Sequence, residues 1–86
     1  MTPEHCRSAR AWLAWTQGDL AAKARVGLST VKDFENGKRA SIEATLAAMK
    51  AALEAAGIGF SFVIDENGVK EACGITFSRP EEGAKL

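Results

Sequence analysis

At 86 residues the chain is one domain, too short for two independent cores and near the size where burial is only marginal. Hydrophobic residues make up 47% and charged residues 26%, and sixteen alanines favour thin, closely packed helices, so the chain is globular and a large catalytic cleft or dinucleotide fold is nearly excluded. Eleven basic residues balance eleven acidic ones, and a net charge of zero singles out no class of partner.

The opening Met1-Thr2-Pro3-Glu4-His5 has no basic n-region, and no long apolar run follows, so neither a signal peptide nor a membrane span is expected. Thr2-Pro3 is a helix start, a hydroxyl cap followed by proline at the first helical position. Cys6, Ala9, Leu13 and Trp12 recur at helical spacing and predict a first helix over about 3–14. His5 reads as an exposed helix residue, with no Cys/His cluster to make it a metal ligand. Trp12 is left open between an exposed edge and a dimer contact.

Thr16-Gln17-Gly18-Asp19 has the form of a capping box and opens a second short helix with Leu20, Ala21 and Ala24 inward. Arg25-Val26-Gly27 breaks it. A third helix runs from Leu28 to Asn36 with Val31 and Phe34 inward, and Gly37 is expected in the left-handed position that closes it. Ser41 caps a fourth helix over about 42–56, whose stripe of Ile42, Leu46, Met49 and Leu53 is core, and Gly57 ends it.

Beyond Gly57 the period changes from helical to alternating, and Asn67-Gly68 is a strong hairpin signal. A two-residue loop there sets Ile58 against Phe77, Phe60 against Ile75, Phe62 against Cys73 and Asp65 against Lys70. A slip of one residue would put Ile64 opposite Lys70, a poorer match. The face formed by Ile58, Phe60, Phe62, Ile64, Cys73, Ile75 and Phe77 is too apolar for water, so it folds onto helix four or pairs with a second copy, and pairing is favoured. Residues 79–86 read as a loose tail. Two unclustered thiols, Cys6 and Cys73, suit a reducing cytoplasm.

Two short helices joined by a tight turn describe a helix-turn-helix over about 17–36. The pattern is more particular: Gln17-x-x-Leu20-Ala21-x-x-Ala24-x-Val26-x-x-Ser29-Thr30-Val31-x-x-Phe34-Glu35-x-Gly37 resembles the Xre/Cro-type helix-turn-helix regulators, with likeness from Arg10 to Leu53. The fold expected is therefore mainly α: a four-helix Cro/repressor-like domain over 1–57, then a C-terminal β-hairpin over 58–78.

In that family the N-terminal end of the third helix reads DNA, here through Leu28, Ser29, Thr30, Lys32, Asp33 and Asn36. Leu28 suits a thymine methyl, Ser29 and Thr30 base edges or phosphate, Lys32 a guanine or phosphate, and Asp33 a cytosine amine. Gln17 and the neighbouring N–H groups are expected to grip phosphate, with Lys38 and Arg39 as clamps. The competing readings are plain ones: Leu28 packing on Val26, Ser29 and Thr30 serving the helix start, Lys38 and Arg39 as solvated loop charges. Arg10 and Glu35 match a structural ion pair of the family. Arg25 stands where many members have glycine, and Gly27 is expected to take over the bend.

The function expected is a DNA-binding transcriptional regulator, a repressor acting as a homodimer on a palindromic operator in double-stranded DNA. The alternative is an antiactivator or antitoxin that binds another regulatory protein through the hairpin. No Ser/His/Asp set, Cys/His pair or carboxylate cluster supports an enzyme, and no cofactor is expected.

Overall fold

The first two helices begin where a side chain satisfies their first free N–H groups, whereas the third begins at Gly27 with no side-chain cap. The computed structural model describes residues 1–38 and 43–78. Helix α1 spans Pro3–Leu13, α2 Gln17–Ala24, α3 Leu28–Glu35 and α4 Glu43–Ala55. At α2 the Thr16 hydroxyl accepts from the Asp19 N–H while the Asp19 carboxylate accepts from the Thr16 N–H, both at 2.9 Å. Gly37 is left-handed just past α3, as expected. Ser41 and Ile42, the expected cap and first core residue of the fourth helix, lie outside the described residues, as does the tail 79–86.

The bend between α2 and α3 falls on Arg25, not on Gly27. Arg25 is left-handed at φ 58°, whereas Gly27 is an ordinary extended cap at φ −70°. The reason is the Val26 N–H, which reaches back to the Ala21 carbonyl at 3.0 Å and closes α2 one residue beyond its end. An arginine in this conformation costs about 1 kcal/mol relative to glycine.

One apolar core joins all four helices to the hairpin. Cys6 and Ala9 of α1 meet Leu20 and Ala21 of α2, Val31 and Phe34 of α3, and Met49 and Leu53 of α4. Ala21 is small where α2 and α3 approach. Trp15, Leu13 and Leu46 pack around this centre half-buried. Trp12 points outward, its ring 5.7 Å from that of Phe77.

The hairpin pairs β1 (Ile58–Ile64) with β2 (Lys70–Phe77) in antiparallel fashion. Its near half has the expected register, with Ile58 opposite Phe77 and Phe60 opposite Ile75. The far half is shifted by one: Phe62 faces Ala72 and Ile64 faces Lys70, so the expected pairs Phe62–Cys73 and Asp65–Lys70 do not form. Asp65 is the cause. Its carboxylate accepts from the N–H groups of Asn67 and Val69, both at 2.9 Å, and its own N–H donates to the Val69 carbonyl at 3.0 Å. These bonds close a three-residue loop, Glu66-Asn67-Gly68, instead of a two-residue one. A bulge between Ser61 and Phe62, with Cys73 as the extra residue on β2, absorbs the difference.

His5 is buried, contrary to the exposed position expected of it. Its Nδ1 accepts from the Thr2 N–H at 3.2 Å, completing a capping box whose other half is the Thr2 hydroxyl. Its Nε2 donates to the Ser61 carbonyl at 2.8 Å, at the bulge, and its ring meets Phe60 and Phe62 edge-on at 5.2 and 4.8 Å. Both nitrogens are thus used, Nδ1 as acceptor and Nε2 as donor. Much of the hairpin's apolar face is consequently covered by the same chain. Ile58, 3% exposed, is core, and Phe60, Ile75 and Phe77 pack half-buried against it. The reading of this whole face as an interface is corrected accordingly: Ile58 has no surface to offer a partner. Ile64, 63% exposed, remains outside with Val63 and Val69.

Candidate nucleic-acid interface

The candidate surface is built from a buried carboxylate outward. Glu35, the last residue of α3, is 1% exposed, and its carboxylate collects donors from two other helices. Arg10 of α1 grips it with both Nε (2.6 Å) and Nη2 (2.7 Å), the Cys6 thiol donates at 3.0 Å, and Gln17 Nε2 of α2 donates at 3.1 Å. Arg10 Nη1 donates to the Trp15 carbonyl at 3.0 Å, and Arg7 donates to the Glu35 main-chain carbonyl. The Arg10–Glu35 pair thus ties α1 to α3, and Gln17 adds the start of α2.

Burial by itself raises the Glu35 carboxyl, but the hydrogen bonds from Arg10, Cys6 and Gln17 outweigh it and hold the group below the ordinary carboxylate value. The bond to Glu35 raises Arg10 further above its usual value. Burial pushes the Cys6 thiol up, and its donation to Glu35 adds to the shift, so it serves as a neutral donor. Cys6, Arg7 and Gln17 were not read as partners of Glu35 from sequence. The spacing Cys6-x-x-x-Arg10 puts thiol and guanidinium on one helix face and is the signal that was available.

This frame leaves a row of α3 side chains outward. Leu28 is 44% exposed at the first turn, Ser29, Lys32 and Asn36 are exposed, and Thr30 and Asp33 are half-buried. Lys38 is exposed just beyond the helix, and Arg39 lies outside the described residues. At the start of α2 the N–H groups of Gln17 and Gly18 have no partner among the described residues, which suits an anion. One hydrogen of the Gln17 amide is committed inward to Glu35, so phosphate would meet the backbone amides and the second amide hydrogen. Lys23 Nζ lies 5.0 Å over the Trp15 ring.

A family model, the helix-turn-helix, matches residues 7–60. The chain belongs to this Xre/Cro-type family, and with it to the DNA-binding transcriptional regulators. No curated protein matches the chain. No helix among the described residues is long and apolar enough to cross a membrane.

Proposed function

We propose that the chain is a sequence-specific repressor that binds a palindromic operator as a homodimer. The observation that carries this is the outward row Leu28, Ser29, Lys32 and Asn36, set on a helix whose far end is anchored by the buried Glu35. At such positions Leu28 covers a thymine methyl, Ser29 and Thr30 take base edges or phosphate, and Lys32 takes guanine. Asp33 accepts from cytosine and Asn36 from or to adenine, while Gln17, Lys38 and Arg39 hold the backbone on either side.

Ser29→Ala with Lys32→Ala removes contacts without touching the core, because both side chains face away from Val31 and Phe34. Each good base contact is worth ~1–3 kcal/mol, so losing two should weaken binding to the chain's own promoter by about thirtyfold or more. Fluorescence anisotropy against promoter and scrambled duplexes reads this. A double variant that binds promoter as well as wild type would move recognition off α3.

A single helix-turn-helix makes few base contacts, which is the reason for a twofold pair. The surface available for pairing is the far end of the hairpin, where Val63, Ile64 and Val69 are exposed. Ile64→Asp should give a monomer by light scattering with helical content unchanged, since Ile64 touches none of the core. Wild-type monomer at high micromolar concentration would defeat the homodimer. The same exposed residues would then favour the second reading, an antiactivator or antitoxin-type regulator whose hairpin holds a different protein.

A further inference from the structure

We propose that Arg25 is a DNA-backbone contact, set by the turn that delivers the reading end of α3; this rests on the DNA-binding reading above. The turn requires a left-handed residue at this point. The Arg25 N–H bonds the Ala22 carbonyl at 3.3 Å and the Val26 N–H bonds the Ala21 carbonyl at 3.0 Å, a closure that glycine makes at least cost. A long cation stands there instead, at φ 58° and ψ 44°.

The closure explains the left-handed backbone, but nothing among the described residues explains why an arginine rather than glycine takes it. The side chain is exposed, and no described residue accepts a hydrogen bond or ion pair from its guanidinium. Strain kept without an intramolecular partner points outward, to a ligand. Ala14, the other left-handed residue among the described residues that is not glycine, is held by the same kind of closing bond, Trp15 N–H to the Arg10 carbonyl at 2.9 Å, but carries only a methyl with no donor to offer a ligand.

The position also fits the ligand. Arg25 stands two residues before the Gly27 cap of α3, so the chain leads from it directly into the first turn, which carries Leu28 and Ser29. A guanidinium offers a planar fork of donors matched to phosphate. Lys23 of the same turn is placed over Trp15, which leaves Arg25 as the cation at this corner free of any described partner.

Two variants separate a contact from a merely structural role. Arg25→Gly should raise the melting temperature by about 5 °C, because the strain is relieved. It should also weaken binding to a mixed-sequence duplex about tenfold at low salt and reduce the slope of log affinity against log salt by about 0.9. Arg25→Lys should keep the salt slope near wild type and show no gain in melting temperature. If wild type binds the duplex and Arg25→Gly leaves the slope unchanged, Arg25 is not a contact and the DNA-binding reading stands. If wild type binds no duplex at all, that reading and the contact fall together.

Discussion

Replacing Arg10 by methionine should remove a large share of the protein's stability. The variant keeps an unbranched apolar stem but strips the Glu35 carboxylate of two donors at 2.6 and 2.7 Å, leaving a charge that is 1% exposed beside one thiol and one amide. Breaking a buried pair by removing one partner typically costs ~3–5 kcal/mol. A domain of this length holds roughly 4–13 kcal/mol in total, so the loss is a large share. Urea unfolding measures it, and a loss under about 1 kcal/mol would show that α1 and α3 are held by apolar packing alone. Glu35→Gln on top of Arg10→Met should recover part of the loss, because the orphaned charge is gone.

The same pair fixes the acid limb of stability. The folded state holds the Glu35 carboxyl below its ordinary value, so the unfolded chain binds the proton more readily. The stabilisation is therefore complete above the unfolded value of about 4.3 and fades as pH falls through the lower folded value. Arg10→Met should flatten this limb, which a urea series at falling pH would reveal.

Gly57→Ala should cost about 3 kcal/mol, from strain and collision together. Gly57 sits at φ 104°, a conformation L side chains rarely adopt, where α4 turns into β1. A Cβ there would lie 2.1 Å from the Ser78 carbonyl oxygen and 3.2 Å from the Phe77 ring. The Ser78 N–H also donates to the Gly57 carbonyl at 2.9 Å, so neither backbone can retreat without opening the end of the hairpin. Gly68→Ala is the control. Its φ is 82° but nothing lies within 4 Å of the added carbon, so only the backbone preference of about 1 kcal/mol is lost. Equal losses in the two variants would mean the corner is not closed by this contact.

What was legible in the sequence was what a few neighbouring residues decide among themselves. The Thr16–Asp19 box, the left-handed Gly37 and the Val31/Phe34 spacing act over three or four residues, where helix geometry leaves little choice. The Gln17–Gly37 pattern marked the family because it prescribes which small and apolar residues let two helices cross, and the Arg10–Glu35 pair came with that resemblance. The near half of the hairpin has the pairing that a two-residue loop at Asn67-Gly68 sets, because the bulge restores the register that the longer loop shifts.

Tertiary structure decided the rest. His5 carries no apolar signal, and only the arrival of Ser61 and Phe62 over α1 turns it into a buried donor. The far register depended on Asp65 turning its carboxylate back onto the loop, which cross-strand pairing does not reveal. The apolar face of the hairpin looked like an interface because a strand's period shows that one side is buried without showing what buries it. Here α1 of the same chain, brought there by the fold, covers much of it and leaves Val63, Ile64 and Val69 at the far end in water.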